Sequence, residues 1–349
     1  MASEGGKTSA DAASSPWKLC VAPMMDWTDR HCRYFHRLLS PHARLYTEMV
    51  TAAALLHGNR LHLLEHNREE HSVALQLGGA DPHELAQAAR YGAQAGYDEI
   101  NLNVGCPSDR VQSGRFGACL MREPELVADC VRAVRESVRV PITVKCRIGV
   151  DEQDEYVDLQ RFAELMIDAG VRTLIVHARK AWLQGLSPKE NREIPPLNYQ
   201  RVYRLKRELP RLTVIINGGI THDGVLTHLQ HVDGVMLGRL AYHDPYALAR
   251  IDATLFGGEP IAREQALRAM RPYIEAELAR GTKLKHIARH LLGLYHGQPG
   301  GRAFRRVLSE GAHRDEAGWD TVEAALRAHG GAPGRDRIAG SARIQWPAA

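Results

Sequence analysis

The first 240 or so residues alternate regularly between short apolar, β-branched runs and longer amphipathic stretches. The apolar runs predict eight strands, at Leu19–Pro23, Leu45–Glu48, Val73–Leu77, Glu99–Asn103, Ile142–Arg147, Thr173–His177, Val214–Asn217 and Gly234–Leu237. The intervening stretches predict helices, for example at Pro82–Ala95, Pro124–Val138, Val157–Ala169 and Asn198–Glu208. Near-continuous apolar strands are typical of a parallel sheet, and eight such units close a (β/α)8 TIM barrel. An open doubly wound sheet is the alternative.

Polar residues lie at or just after the C-terminal ends of these predicted strands. They are Gln76, Asn103, Lys145, Arg147, His177, Asn217 and Arg239. In a parallel barrel these strand ends share one rim, so residues distant in sequence meet in one pocket. One buried polar residue is usually a hydrogen-bonded part of the core, but seven at the same end of the strands indicate a functional site.

A cysteine follows the fourth predicted strand in the tight turn Gly105-Cys106-Pro107. Loops after strands carry much of the chemistry of α/β folds, whereas a structural cysteine usually packs as a small hydrophobe. The polar neighbours Asn101 and Asn103 favour an exposed, reactive thiol, although the structural interpretation remains open.

Glycines follow the last two predicted strands, in Asn217-Gly218-Gly219 and in Gly238-Arg239. Glycine lets backbone N–H groups approach an anion closely, and the loops after strands seven and eight of a barrel often bind phosphate. Together with Lys145 and His177, these loops predict a phosphorylated cofactor.

The chain has 349 residues, more than the roughly 250 typical of one barrel. The strand pattern stops after Phe256-Gly257-Gly258, and helical spacing continues to about His329. We therefore expect a disordered N-terminal segment at 1–16, a barrel at 17–257, a helical domain at 258–330 and a disordered tail at 331–349.

Basic residues dominate one part of the helical region. Residues 281–309 contain no acidic residue, and Arg302, Arg305 and Arg306 share one helical face while Lys285 and Arg289 share another. Basic faces are often only solvated surface. A long acid-free run nevertheless suits a polyanion, which makes RNA the leading partner.

Composition describes an ordinary globular protein, with 44% apolar and 25% charged residues. No apolar run approaches the roughly 20 residues that span a bilayer, and the opening residues lack the apolar region of a signal peptide, so a cytoplasmic protein without membrane contact is expected. The six cysteines show no C-x-x-C pair, which predicts neither a metal site nor disulfides. No stable protein partner is implied.

Seven motifs occur together in one order over about residues 19–308: Ala22–Asp29, Gln76–Gly79, Asn101–Pro107, Val144–Arg147, His177–Arg179, Asn217–Gly219 and Gly238–Arg239. In these motifs the chain strongly resembles the bacterial tRNA-dihydrouridine synthases. The stretch 180–196 is similar to the A subfamily, which modifies D-loop uridines at tRNA positions 20 and 20a. Gly219, where many relatives outside this subfamily carry Asp, fits the same assignment.

The resemblance implies a barrel that binds FMN, is reduced by NADPH, and reduces the C5–C6 double bond of uracil in tRNA. It places Pro23, Met24 and Met25 against the flavin and Gln76 and Lys145 at its ring system, with Lys145 stabilising the reduced ring. The cofactor set also includes Asn217 and, at the phosphate, the residues His177, Gly218, Gly219, Gly238 and Arg239.

The same resemblance makes Cys106 the acid that protonates uracil C5 after hydride reaches C6. A proton donor needs the neutral thiol, so no His or Lys has to lie beside it. Asn103 would lie near the uracil. We expect the remaining tRNA contacts at Lys189 and Arg192 on the barrel and at Arg302 and Arg305 on the helical domain.

Two other functions remain to be weighed. A flavin barrel that acts on a small molecule, such as a dihydroorotate dehydrogenase, would share the barrel motifs but would have no use for the basic helical face. A catalytically silent tRNA-binding protein would not need Cys106 or Lys145. The motifs do not fix the choice of NADPH over NADH, the oligomeric state, or whether both uridines are modified.

Overall fold

The computed structural model describes residues 15–58, 60–108, 114–153 and 155–330. The segments expected to be disordered, 1–16 and 331–349, fall outside these ranges apart from residues 15 and 16. Within the described ranges, no helix has the length and apolar character needed to cross a membrane.

A parallel sheet of eight strands curves into a barrel in the described part of the chain. The strands are β1 (Leu19–Val21), β2 (Leu45–Thr51), β3 (Val73–Gly78), β4 (Glu99–Asn103), β5 (Ile142–Arg147), β6 (Thr173–His177), β7 (Thr213–Asn217) and β8 (Gly234–Leu237). Each strand from β2 to β7 pairs with the next along the chain, and β8 pairs with β1. A short bridge closes the circle, since Val21 N–H donates to Arg44 O and Arg44 N–H donates to Leu19 O, both at 2.9 Å. The predicted TIM barrel is confirmed.

Helices follow the strands and cover the outside of the barrel. The described α-helices are α1 (Arg30–Leu39), α2 (Ala52–Leu56), α3 (Pro82–Gln94), α4 (Pro124–Ser137), α5 (Tyr156–Asp168), α6 (Tyr199–Glu208), α7 (Val225–Leu229), α8 (Arg239–His243), α9 (Tyr246–Phe256), α10 (Arg263–Ala269), α11 (Arg271–Ala279), α12 (Leu284–Leu291), α13 (Gly301–Gly311) and α14 (Trp319–Ala328). Capping residues in the sequence mark where helices begin, as at α3. The Asp81 side chain caps α3 by accepting the Glu84 N–H at 2.8 Å, and Pro82 opens that helix.

Two strands differ from the predicted bounds by two or more residues, and β3 and β7 are each one residue longer than predicted. β1 ends at Val21, although the Ala22 N–H still donates to Leu237 O at 2.7 Å. β2 continues three residues past Glu48, and its register against β3 shifts between Tyr46 and Met49. At this irregularity the Thr47 hydroxyl accepts the Gln76 N–H at 3.0 Å, so a side chain replaces a backbone partner.

The barrel strands present different residues to their two faces. Outward side chains such as Val144, Val176 and Ile216 join the large core beneath the helices. A separate, smaller apolar cluster fills part of the barrel interior and contains Cys20, Ala22, Tyr46, Ala74, Ile175, Ile215 and Met236. On β4, Ile100 and Leu102 belong to the outer core, so the alternating residues Glu99, Asn101 and Asn103 face inward. The interior is therefore partly polar on the side of β3–β5.

Among the C-terminal helices, α10, α11 and α12 pack against α1 and the loop before it. Arg30 makes two hydrogen bonds to the Glu277 carboxylate, at 2.7 and 2.6 Å. Asp29, in the loop after β1, accepts a hydrogen bond from Arg289 of α12 at 2.7 Å. These contacts bring the helices beside the C-terminal ends of the barrel strands.

Candidate active site

The Cys106 loop is shaped by the side chain at the end of β4. Asn103 Oδ1 accepts the N–H groups of Gly105 at 3.1 Å and Cys106 at 3.0 Å. This local turn bends the chain at the strand end, and Cys106 is left half-buried with its Sγ 3.5 Å from Ser108 Oγ. The thiol thus lies at the rim of the barrel, as predicted.

Lys145 connects the end of β5 to the end of β7 and, through Asn217, to β8. Its Nζ donates to Asn217 Oδ1 at 3.1 Å, and Asn217 Nδ2 donates to Met236 O at 2.8 Å. Burial lowers the pKa of Lys145 to about 8, and the positive charge of Arg147 adds to the decrease. The ammonium group therefore stays protonated at neutral pH, but it gains stability from any negative charge that enters the rim.

Positive charges surround the Cys106 loop. Lys145 and Arg147 on β5 and Arg192 in the loop after β6 all lie within electrostatic range of Cys106. Burial, and then the nearby Arg147 and Lys145, hold the pKa of His177 well below its usual value. His177 is consequently a neutral hydrogen-bonding group, and the lysine and arginines supply the positive charge.

The glycines after β7 allow a close approach of backbone and side chains. Gly218 and Gly219 have φ angles of 110° and 65°. A Cβ at Gly218 would lie 2.4 Å from His177 Cδ2, whereas a Cβ at Gly238 would meet no heavy atom of the described residues within 4 Å. Open space at Gly238 beside cationic and N–H donors fits a phosphorylated cofactor.

The residues that the resemblance assigns to the flavin ring come from β1 and β3. In the loop after β1, Pro23 and Met24 are half-buried and Met25 is 52% exposed. Gln76 is buried, and its Nε2 donates to Asn101 Oδ1 at 2.7 Å while its Oε1 accepts from Asn103 Nδ2 at 2.8 Å. Gln76 is thereby connected to the Cys106 loop as well.

The loop after β6 is organised around the fully buried Asn191. Asn191 Oδ1 accepts the Trp182 N–H at 2.7 Å, and its Nδ2 donates to Trp182 O at 2.8 Å and to Leu186 O at 3.1 Å. Lys189 and Arg192 are exposed on this loop. The loop therefore holds both basic side chains on a fixed backbone.

Arg147 ties this loop to the Cys106 loop. Its Nε donates to Gly105 O at 2.9 Å, and its Nη1 donates to Lys180 O at 3.1 Å and Asn191 O at 3.0 Å. The sequence placed Arg147 at a strand end without a role, because backbone carbonyl partners leave no signature in the sequence. The structure gives it one as the connection between two loops of the rim.

Arg239 has a partner within the protein. Its Nη1 donates to the Glu193 carboxylate at 2.6 Å, so the loop after β6 also reaches the end of β8. Beside it, burial and the positive charges of Arg239, His296 and Arg305 lower the pKa of His243. Arg239 and Arg305 thus lie near the same histidine.

The basic face of α13 adjoins the rim, because Arg305 on this helix and Arg239 at the end of β8 both lie near His243. Arg302 and Arg305 are exposed on α13, while Phe304 and Leu308 on the same helix are buried. Arg289, by contrast, is ion-paired to Asp29 and helps to hold α12 in place. The structure therefore brings Arg305 toward the barrel mouth, on whose loops Lys189 and Arg192 are exposed.

The C-terminal ends of the eight parallel strands carry a thiol, a lysine and glycine loops suited to phosphate. This arrangement defines an enzyme of the TIM-barrel class whose chemistry lies on that rim. More narrowly, the chain belongs to the dihydrouridine synthase family, whose sequence profile matches residues 20–329. The protein is therefore an oxidoreductase, and the resemblance to the dihydrouridine synthases is confirmed. The small-molecule alternative is not supported.

Similar proteins from several bacteria carry one name, tRNA-dihydrouridine(20/20a) synthase. The relative from Xanthomonas axonopodis pv. citri (strain 306) is 61% identical over 319 residues, which cover 91% of this chain and 96% of the relative. That from Shewanella oneidensis is 60% identical, covering 88% of this chain and 92% of the relative. That from Vibrio cholerae is 58% identical, covering 88% and 95%.

Proposed function

We propose that this protein uses FMN and NADPH to reduce the C5–C6 double bond of uridines 20 and 20a in tRNA, forming dihydrouridine. Family membership and the shared name of the relatives support the reaction and its substrate. The observation that carries the proposal is that Cys106, Lys145 and Arg192, from three different βα units, meet at one rim.

FMN fits the residues at this rim. We assign its phosphate to His177, Gly218, Gly219, Gly238 and Arg239, and its ring system to Pro23, Met24, Met25, Gln76, Lys145 and Asn217. When bound and reduced by NADPH, FMN supplies the hydride that uracil C6 accepts. Lys145, protonated below about pH 8, stabilises negative charge at the ring. His177 contributes a neutral hydrogen bond rather than a charge.

Cys106 acts as the general acid in this proposal. The S–H bond breaks as a C–H bond forms at uracil C5, and the resulting thiolate later regains a proton from solvent. Asn103 fixes the turn that carries the thiol, and we assign it a place next to the uracil.

tRNA binding is assigned to two basic surfaces. Lys189 and Arg192 hold one side of the tRNA from the barrel, while Arg302 and Arg305 hold the other from the helical domain at 258–330. The target uridine has to leave its stacked position to reach Cys106. We expect an enzyme with a tRNA substrate to work in the cytoplasm.

The experiment that tests the proposal combines cofactor analysis with mapping of the product. Heat-released cofactor from purified protein is expected to be FMN at about one molecule per chain. With NADPH, unmodified tRNA transcripts should gain dihydrouridine at positions 20 and 20a, and transcripts carrying cytidine at one position should gain it only at the other. Release of FAD, or dihydrouridine formed only elsewhere in the tRNA, would overturn it.

A further inference from the structure

A chain of buried hydrogen bonds runs through the barrel from the start of β4 to its end. Thr143 Oγ1 donates to Glu99 Oε1 at 2.5 Å, and Asn101 Nδ2 donates to Thr143 Oγ1 at 2.7 Å. Gln76 Nε2 donates to Asn101 Oδ1 at 2.7 Å, and Asn103 Nδ2 donates to Gln76 Oε1 at 2.8 Å. The first four of these side chains are buried, and Asn103 is half-buried at the rim.

Glu99 is the last member of this chain of hydrogen bonds and lies at the N-terminal side of the barrel, far from the rim. Its carboxylate accepts from Trp17 Nε1 at 2.6 Å and Tyr46 OH at 2.8 Å as well as from Thr143. Arg44 Nη1 lies 3.1 Å from Glu99 Oε2. Burial raises the pKa of Glu99, while Arg44 and the hydroxyl and indole donors oppose the increase. Three hydrogen-bond donors and one ion-pairing guanidinium on two oxygens leave the carboxylate only the role of acceptor.

Both ends of this chain of hydrogen bonds require each bond to be donated in the direction of Glu99. At the lower end, Thr143 must donate to Glu99, so its oxygen accepts from Asn101. At the rim, the Gly105 and Cys106 N–H groups need an acceptor, so Asn103 must present Oδ1 to them and Nδ2 to Gln76. An amide side chain can flip, but here any flip would set donor against donor at one end.

We infer that Thr143, anchored by Glu99, is a positioning residue for the thiol: it fixes the orientation of Asn101, Gln76 and Asn103, and through Asn103 the turn that carries Cys106. The inference rests on the proposed role of Cys106 as the acid. An ordinary buried polar layer would stabilise the barrel in the same way, but it would not determine which atom of Asn103 faces the loop.

The test removes one hydroxyl and compares matched variants. Thr143→Val keeps the shape of the side chain but interrupts the chain of hydrogen bonds. Thr143→Ser keeps the hydroxyl, and Thr173→Val is the control. Thr173 is the β6 register partner of Thr143 and is buried, and its hydroxyl makes no side-chain hydrogen bond within the described residues. Thr143→Ala replaces the valine variant if that one does not fold.

Two readouts report on the loop and one on catalysis. Amide hydrogen exchange at Gly105 and Cys106 and the alkylation rate of Cys106 should rise in Thr143→Val. At saturating FMN, kcat for tRNA should fall about tenfold to hundredfold with little change in KM, because a small displacement of a reacting group costs rates of that order. Thr143→Ser should restore wild-type values, and Thr173→Val should match the wild type.

Wild-type exchange and kcat in Thr143→Val would overturn the inference, as would an equal loss in Thr173→Val or no rescue by serine. A parallel Cys106→Ala variant separates this failure from failure of the proposed function. If Cys106→Ala turns over normally, the acid has been misassigned. If it is slow while Thr143→Val is normal, only the positioning chain is wrong.

Discussion

Replacement of Arg147 by Met should loosen two loops of the rim at once. The guanidinium donates three hydrogen bonds to backbone carbonyls, one in the Cys106 loop and two in the loop after β6. Burial lowers the pKa of Arg147 only to about 10, so the group is fully charged at neutral pH. All three bonds in the native protein are therefore charge-assisted.

The size of the effect follows from these contacts. Hydrogen bonds to a charged group contribute about 1.5–3 kcal/mol each, and the cost of burying the guanidinium offsets much of their sum. A net loss of about 3 kcal/mol is expected. For a chain of 349 residues, an unfolding entropy of roughly 0.7 kcal/mol/K converts this loss to a Tm decrease of about 4 °C.

Calorimetry and steady-state kinetics check the prediction. Because Arg147 joins the loop of Cys106 to the loop of Lys189 and Arg192, kcat/KM for tRNA should fall about 10²-fold. Arg161→Met is the matched control, since its exposed ion pair with Glu125 contributes little. A Tm and kcat/KM for Arg147→Met equal to those of Arg161→Met would refute the reasoning.

Two further predictions concern charge. Because the pKa of Lys145 is about 8, the affinity of the apoprotein for FMN, measured by fluorescence titration, should fall as pH rises above 8, and Lys145→Met should abolish this dependence. The same depressed pKa predicts that the stability of the apoprotein rises between pH 8 and 10.5, which denaturant melts measure. Replacing Arg302 and Arg305 by Ala should weaken tRNA binding and reduce its salt slope by about two, whereas the Ala double variant of Arg204 and Arg207, equally spaced on α6, should leave the slope unchanged.

The barrel could be predicted from the sequence because its strands are short apolar runs with polar residues at one end. The extension of β2 could not be predicted, because Thr47 and Glu48 interrupt the apolar pattern. Their polar character is explained by the register shift against β3, which only the folded sheet reveals.

The position of residues such as Cys106 and Arg239 at the rim could be predicted from their motifs and from where the strands end. The hydrogen bonds that connect the rim residues could not be predicted. Arg147 binds carbonyl oxygens, which every residue carries, and Glu99 reads as the polar edge of a strand. The link from Glu99 to Asn103 depends on the register of β3, β4 and β5 across the barrel interior. Such pairings are set by tertiary structure and have no local signature.

The most direct test of the account is a single-turnover measurement with the Cys106→Ala variant. Enzyme previously reduced by NADPH is mixed rapidly with tRNA, and flavin reoxidation is followed by absorbance. We expect reduction by NADPH at the wild-type rate and reoxidation by tRNA slowed about 10²- to 10⁴-fold, the usual contribution of a positioned acid. Reoxidation at the wild-type rate, with dihydrouridine formed, would contradict the assignment of Cys106 and the site built around it.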